Sequence, residues 1–251
     1  MTSPQGIERI VRRLALRGPL TDEDKAAIRD LPFTNRTIEP GAYLVREGEP
    51  PTICTLLFSG FAYRHKVTGK GERQIMSVHM PGEFLDLQNT FLEVADHNVQ
   101  TLTRCEVAAV SGQAIRELAL AHPRVGRAMW IETLVDSAIF REWIVNVGRR
   151  DSISRVSHLL CEFALRLEAA GLAEGHRYEM PMTQEQIADC TGLTPVHVNR
   201  VLKELGRMGL IERDKRAVSI VQWDRLRHVG DFNTRYLHLE DGGPNNLASA
   251  R

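Results

Sequence analysis

The stretch MTQEQIADCTGLTPVHVNRVLKEL, residues 182–205, places polar and cationic side chains at helical spacing. Val198, Val201, Leu202 and Leu205 form one apolar face. The opposite face then carries Val196, His197, Asn199, Arg200 and Lys203. An ammonium or guanidinium can hold an anionic oxygen, and the planar fork of Arg200 suits two adjacent acceptors such as guanine O6 and N7. This face therefore indicates recognition by hydrogen bonds and charge.

Bond-breaking chemistry has no comparable signal. The sequence contains no Ser-His-Asp elbow, no glycine loop for phosphate at a strand-to-helix turn, and no H-x-x-x-H metal spacing. Asp86 and His97 could converge as an acid/base pair, but only if the fold brings them together. We expect the chain not to be an enzyme.

The four cysteines, Cys54, Cys105, Cys161 and Cys190, stand far apart without paired spacing. They predict neither a zinc site nor a disulfide framework, and we interpret them as isolated, reduced, partly buried thiols. Cys54 or Cys105 could sense oxidation, although no neighbour in the sequence clearly stabilises a thiolate.

Composition places the chain among ordinary globular proteins of about two domains, with 251 residues, 43% hydrophobic and 25% charged. No apolar run reaches the roughly 18 residues of a membrane span, and charge is mixed throughout the N-terminal residues, so we expect a cytoplasmic protein. The net charge is zero, but residues 194–227 hold eight basic residues against four acidic ones. Such a basic island suits a partner rich in phosphate.

A helix-turn-helix is the element predicted to position the polar face. Thr183 and Gln186 have the spacing of a capping box, and Gly192 can take the left-handed conformation that a sharp turn needs. Thr194 caps the second helix, with Pro195 at its first position. The alternative is a helical corner packed inside an ordinary helical domain, which would leave the polar face without a role.

A hairpin follows the corner in GLIERDKRAVSIV, two short strands around a charged turn. This pattern predicts a wing, which can bring Lys215 and Arg216 close to phosphates. Corner and hairpin together form a winged helix-turn-helix, and its second helix is the one that enters the major groove.

Secondary-structure patterns divide the rest of the chain into segments. Residues 7–31 are predicted helical, with Thr21 starting a helix, and residues 36–111 form short strands of an antiparallel roll or barrel. A short helix closed at 122–123 precedes a long helix over 124–147, and a polar hinge at 148–152 leads to an amphipathic helix stopped by Gly171. The predicted fold class is α+β, with an antiparallel β-roll, a long helix and a winged helix-turn-helix. The expected domains are 1–123, 124–148 and 149–233, followed by a disordered tail at 234–251.

The long helix carries Leu134, Ala138, Arg141 and Val145 at alternating spacings of four and three. This seam is typical of a contact between two helices and predicts a dimer. The alternative is a helix that buries the same residues against its own roll.

The order of roll, long helix and winged helix-turn-helix, with PGEFLDL and TQEQIADCTGLTPVHVNRVLKEL…GLIE, resembles the bacterial transcription regulators of the cyclic-AMP receptor protein and FNR superfamily. The resemblance covers about residues 36–232, and TPVHVNRVL is similar to a variant in α-proteobacterial members. It implies a homodimer joined through the long helix, which binds a pseudo-palindromic promoter site in double-stranded DNA, responds to a signal in the roll and contacts RNA polymerase. The DNA-binding residues it implies are Thr183, Thr194, Pro195, Val196, His197, Asn199, Arg200, Lys203, Lys215 and Arg216.

The recognition helix departs from the family at one position. Members usually carry an early Glu that accepts from cytosine, and Val196 stands there instead, while the later Arg is kept as Arg200. We expect a half-site centred on a guanine read by Arg200, with Val196 touching at most a thymine methyl. Asn199 or His197 is expected to supply the second polar contact.

The sensor departs as well. Family members that bind cyclic nucleotides hold the ribose through a Gly-Glu pair and the phosphate through an Arg-Ser pair; Asp86-Leu87 and His97-Asn98 stand at the matching positions. Without a fixed cation, cyclic AMP should not bind in the usual mode. The resemblance places the effector pocket at Phe84, Asp86, Leu87, Gln88, His97 and Asn98.

Other members of the superfamily sense through different groups. The chain has no cysteine before Cys54, unlike the iron–sulfur members. We predict no cofactor. Haem is the alternative that the sequence leaves, because His65, His79 or His97 could be an axial ligand. Two alternatives also remain: an adaptor that uses the helix-turn-helix to bind proteins, and a regulator that binds DNA by default without an effector.

Overall fold

The computed structural model describes residues 4–239. Two helices open it, α1 (Pro4–Ala15) and α2 (Asp22–Arg29). The predicted helical region 7–31 is therefore interrupted, because Pro19 cannot donate an N–H and disfavours helical backbone at Gly18. Thr21 caps α2 as predicted, since its hydroxyl accepts from the N–H of Asp24 and the Asp24 carboxylate accepts from the N–H of Thr21.

Seven strands form the predicted antiparallel roll: β1 (Phe33–Ile38), β2 (Tyr43–Val45), β3 (Ile53–Ser59), β4 (Ala62–Val67), β5 (Arg73–His79), β6 (Asn98–Thr101) and β7 (Cys105–Ser111). They make two sheets with strand orders β1-β7-β3 and β2-β6-β4-β5. Buried side chains from both sheets, among them Leu57, Val99 and Val107, pack together between them. Gly60 turns the chain between β3 and β4 with φ +81°, where a Cβ would lie 2.3 Å from the carbonyl oxygen of Arg104.

Three helices follow the roll, α3 (Gly112–Ala121), α4 (Pro123–Arg149) and α5 (Ser152–Ala169). The predicted hinge at 148–152 is shorter than expected, because α4 continues through Gly148 and Arg149. Asp151 already caps α5, and Arg155 donates to the carbonyl of Arg150 at 2.8 Å. The chain therefore turns between α4 and α5 in only two residues.

The C-terminal unit contains β8 (Arg177–Glu179), α6 (Gln184–Thr191), α7 (Pro195–Arg207), β9 (Ile211–Asp214), β10 (Ala217–Ile220) and α8 (Trp223–Val229). Its small antiparallel sheet has the order β8-β10-β9. Sequence analysis predicted the β9–β10 hairpin but not β8 or α8, which are too short to show a clear period. The predicted fold class is confirmed.

The expectation of disorder from Thr234 onward is wrong for residues 234–239. Residues Arg235–Leu237 form a 3₁₀ turn, and Tyr236 and Leu237 are buried. The Tyr236 hydroxyl donates to the Glu162 carboxylate at 2.8 Å, which holds this segment on α5. The remainder of the predicted tail, 240–251, lies outside the described residues.

The roll and the C-terminal unit share one apolar core, in which Ile75 and Val78 of β5 belong to the same cluster as Phe163 of α5 and Ile187 of α6. Polar contacts reinforce this junction: Arg73 pairs with the Asp189 carboxylate at 2.7 Å, and the Gln74 amide donates to the Asp189 carbonyl at 2.6 Å. The β-roll therefore fixes the position of α6. Among residues 4–239, no helix combines the length and the apolarity that a bilayer crossing requires.

Candidate nucleic-acid interface

The corner between α6 and α7 has the capping geometry that the sequence predicts. Thr183 and Gln186 form a reciprocal capping box at the start of α6, and Gly192 ends the helix in the left-handed region with φ +64°. The Thr194 hydroxyl accepts from the N–H of His197, and Pro195 occupies the first position of α7. Each helix thus begins with its free N–H groups partly satisfied, which fixes the direction in which α7 leaves the turn.

The two faces of α7 also divide as predicted. Val198, Val201, Leu202 and Leu205 are buried in the core. Val196 is 81% exposed, and Arg200 and Lys203 are exposed as well. The outward ridge of α7 therefore presents a branched apolar group and two cations to solvent.

Two of the outward polar side chains are held by neighbours. An N–H of Arg200 lies 2.9 Å from the His197 Nε2, and because a guanidinium can only donate, the imidazole nitrogen is the acceptor of this contact. The Asn199 amide donates to the Gln184 Oε1 at 3.1 Å. Sequence reasoning missed Gln184, since only the angle between α6 and α7 brings residues 184 and 199 together.

The wing is a two-residue turn, Lys215-Arg216, between Asp214 of β9 and Ala217 of β10. Lys215 has φ +53°, a conformation that bulky residues seldom adopt. Within residues 4–239, none of the cations Arg200, Lys203, Lys215 and Arg216 forms an ion pair. All four are therefore available to external phosphate oxygens.

Helix α4 carries an exposed apolar stripe that differs from the predicted seam. Trp130, Leu134 and Ile144 are 66%, 49% and 68% exposed, with Arg141 and Val145 also exposed. Ala138 is only 6% exposed and packs in the core of its own chain, so it leaves little surface for the predicted dimer contact. Ala138 lies about 40° beyond Leu134 around the helix, at the edge of the exposed stripe where α4 begins to face the core.

A cavity of about 450 Å³ lies between this part of α4 and strands β4 and β5. Most of its lining is apolar, including Ile75, Leu92, Phe140, Trp143 and Ile144. Arg64 and Lys66 also line the cavity, but both are engaged. The Arg64 guanidinium holds Asp136 at 2.7 Å and the Leu85 carbonyl at 2.7 Å, and the Lys66 ammonium holds Glu47 at 2.8 Å.

Only two of the six residues expected in the effector pocket line this cavity, Gln88 and His97, whose polar nitrogens lie 3.4 Å apart. The other four do not line this cavity: Phe84 and Leu87 pack in the core beneath α1, Asp86 is buried, and the Asn98 amide oxygen accepts from the N–H of Glu47. The turn after Glu83 directs Phe84 and Leu87 toward α1 and away from the cavity.

Burial shifts the pKa values of Asp86 and His97, two of the residues expected in the effector pocket. It raises the pKa of Asp86 to about 6, although Asp86 Oδ1 accepts from the N–H of Thr55 at 2.9 Å and Arg64 is near. Burial lowers the pKa of His97, with a further lowering from Arg64. Both groups lose their charged form more readily than in water, and neither supplies a fixed cation.

The remaining histidines and cysteines of the roll are enclosed. His79 lies 3.2 Å from the Ser77 hydroxyl and 3.3 Å from Glu83, while His65 is buried with both ring nitrogens unpaired among the described residues. All four cysteines are free and buried. Burial raises the pKa of Cys54, and that of Cys105 to about 11, so neither thiol is activated. In the described part of the chain, no three potential ligands cluster as a metal site.

Family models match both halves of the chain: a cyclic nucleotide-binding domain at residues 35–122 and a Crp-like helix-turn-helix domain at residues 154–229. A relative, the probable transcriptional regulator flp of Lacticaseibacillus casei, is 30% identical over 207 residues, 80% of this chain and 89% of its own length. The transcriptional activator protein FnrL of Cereibacter sphaeroides is 24% identical over 88% of this chain and 90% of its own.

Among solved structures, FixK2 from Bradyrhizobium japonicum shares the fold, with a TM-score of 0.73 at 23% identity over 79% of this chain and 98% of that chain. The prediction that the chain is not an enzyme is confirmed, because these relatives are transcription regulators. Its α6–α7 corner is the DNA-binding helix-turn-helix that the matched domain describes. The chain belongs to the CRP/FNR family of transcription regulators.

Proposed function

We propose that this regulator binds DNA as a homodimer and reads a pseudo-palindromic site with the outward ridge of α7. The observation that carries the proposal is that Arg200 and Lys203, with the wing cations Lys215 and Arg216, are free of ion pairs within residues 4–239. Elsewhere in the chain, many arginines are held by carboxylates, as Arg73 is by Asp189. Cations left unpaired beside a helix-turn-helix suit phosphate and guanine.

In this proposal each exposed residue of the corner has a distinct role. Arg200 donates to guanine O6 and N7, and Val196 contacts a thymine methyl. Thr183, Thr194, Pro195 and Lys203 lie against the backbone of the duplex, while Lys215 and Arg216 reach phosphates from the wing. His197 acts through Arg200, because its Nε2 already accepts from that guanidinium.

The dimer is proposed to form through the exposed stripe of α4. Trp130, Leu134 and Ile144 are large apolar side chains left in solvent at spacings of four and ten, which places them on one side of the helix. Two α7 helices must lie about 34 Å apart to enter successive major grooves, so a two-fold contact along α4 would set that distance. The proposed domains are a roll domain at residues 1–123, the dimer helix at 124–148 and the DNA-binding domain at 149–233.

Light scattering tests whether the exposed stripe of α4 forms the dimer contact. The double substitution Leu134→Glu and Ile144→Glu should yield a monomer, because two carboxylates would have to be buried in the contact. Its affinity for a single half-site should stay unchanged while binding to the full site falls. Val67→Glu, an exposed apolar position on the roll, is the control. A double variant that remains dimeric excludes this stripe.

An effector other than cyclic AMP is proposed to occupy the cavity beside α4. Its apolar lining and its engaged cations leave no free charge for a cyclic phosphate. Isothermal calorimetry with cyclic AMP should therefore show no heat, and a micromolar isotherm would overturn this part. RNA polymerase is the further partner we propose, since relatives such as FnrL are transcriptional activators.

The decisive test is a fluorescence anisotropy titration of the full-length protein with promoter fragments at two salt concentrations. Phosphate contacts release counterions, so the affinity should fall steeply between about 50 and 200 mM salt. A preferred fragment should bind far more tightly than random DNA of equal length. If no fragment binds at either salt concentration, the corner is a protein-binding surface and the adaptor alternative is favoured.

A further inference from the structure

The contact between Gln184 and Asn199 joins the two helices on the surface that the proposed function assigns to DNA. Gln184 is the first residue of α6, and Asn199 lies in the second turn of α7, next to Arg200. Both side chains are half-buried, and the Asn199 amide nitrogen lies 3.1 Å from the Gln184 Oε1. One polar side chain of the ridge is thus held before any duplex arrives.

This hydrogen bond determines which way the Asn199 amide faces. An asparagine amide has one acceptor oxygen and two N–H donors, and the Gln184 oxygen can accept only from the nitrogen. The nitrogen is therefore turned toward α6, and the Oδ1 faces away from Gln184. Within residues 4–239, this Oδ1 accepts no hydrogen bond, so it and the second N–H remain for an external partner.

An acceptor beside a donor on one amide edge is complementary to adenine. In the major groove, adenine offers the N6 donor and the N7 acceptor, and an asparagine can satisfy both together. Guanine offers two acceptors, cytosine one donor and thymine one acceptor beside a methyl group, so each leaves part of the amide unmatched. The fixed amide therefore favours one base among four.

We propose that Gln184 is a positioning residue that orients Asn199 to read an adenine in the half-site whose guanine is read by Arg200. The inference rests on the proposed docking of α7 and adds a specific base to it. Gln184 itself need not touch a base, because its effect passes through Asn199. A side chain held in one orientation also loses less conformational freedom on binding.

The test begins with selection of the preferred site from random duplexes by the full-length protein. Fluorescence anisotropy then compares that site with every single base-pair variant of it. Asn199→Ala should relax the preference at one A·T pair, and Gln184→Ala should relax it at the same pair by roughly tenfold. In the Asn199→Ala background, Gln184→Ala should change that preference no further.

Gln184→Glu provides the matched rescue. Its carboxylate still accepts from the Asn199 amide, so the adenine preference should return, while its negative charge near phosphates should weaken all sequences alike. Melting temperatures confirm that the variants are folded. The proposal is overturned if Gln184→Ala leaves the preference intact, if its effect persists without Asn199, or if no A·T pair responds to Asn199→Ala. Failure of the wild-type protein to select any site contradicts the proposed function as well.

Discussion

Arginine serves two opposite purposes in this molecule, in the buried junction of the roll with α4 and α5 and on the exposed ridge of α7. At the junction, Arg166 pairs with Glu83 at 3.1 Å and with Glu162 at 3.0 Å, and Arg13 pairs with Glu132 at 2.7 Å. On the ridge, Arg200 forms no ion pair among residues 4–239, and its guanidinium lies 2.9 Å from the His197 Nε2. A buried guanidinium needs a carboxylate to offset the cost of desolvation. An exposed guanidinium stays hydrated, so it needs no internal partner and remains available to an external one.

The carboxylates of the junction show the same dependence on partners. Burial alone would raise the pKa of Glu83, but Arg166, Arg13 and His79 outweigh it and hold that pKa well below its usual range. Asp86 is equally buried, yet it has weaker compensation, and its pKa rises to about 6. Burial therefore stabilises a charge only where a partner is built beside it.

The largest expected effect comes from removing one member of the junction. Glu162→Ala leaves Arg166 short of a carboxylate and removes the acceptor of the Trp143 and Tyr236 donors. Urea unfolding followed by circular dichroism should show a loss of about 3–5 kcal/mol. Glu174→Ala, at an exposed carboxylate, should change stability by less than about 0.5 kcal/mol. Equal effects of the two changes would contradict the comparison.

Asp86 predicts a pH dependence of stability with a definite sign. The pKa of Asp86 is raised in the folded state, so the protonated carboxyl favours folding. This contribution to the free energy of unfolding is complete below about pH 4 and is lost as the pH rises through about 6. Asp86→Asn should remove this loss, so the stability of the variant relative to wild type should rise by about 2–3 kcal/mol between pH 4 and 7. Urea titrations at several pH values measure it. Glu72→Gln, at an exposed carboxylate, should lack this trend, and a parallel pair of pH profiles for Asp86→Asn and wild type would refute the assignment.

On the ridge, Arg200→Ala should leave the unfolding free energy almost unchanged while it weakens specific binding. The expected loss is about 1–3 kcal/mol on the preferred site, with relaxed preference at one base pair. Anisotropy on the preferred site and on random DNA separates the two outcomes. An equal loss on both would mean that Arg200 only contacts a phosphate.

The smallest effect is expected at the wing. Replacing Lys215 and Arg216 together by Ala should weaken all sequences alike and reduce the salt slope by about two at most, one for each cation that no longer reaches a phosphate. Arg12→Ala, an exposed cation on α1, should leave the slope as it is. A weakening confined to the preferred site would instead indicate that the wing reads bases.

Local signals in the sequence predicted the corner well because capping and turn chemistry act over a few residues. Thr183, Gly192, Thr194 and Pro195 adopt the predicted conformations, and α7 buries the predicted face. The directions of single side chains in the roll and on α4 were predicted less well. Asp86 turns into the roll and Ala138 into the core, because the direction of a side chain depends on how whole elements pack.

The sequence by itself determined the order of roll, long helix and winged helix-turn-helix, the α+β class and the family, since these follow from periodicity, caps and a local motif. Tertiary structure alone decided which charges are paired, where the cavity lies and which neighbour holds each reading side chain. The contacts of Arg166 with Glu83, Arg73 with Asp189 and Asn199 with Gln184 join residues that are 83, 116 and 15 positions apart. Long-range pairs of this kind form only when the core sets the distance between elements, and no local pattern of residues encodes that distance.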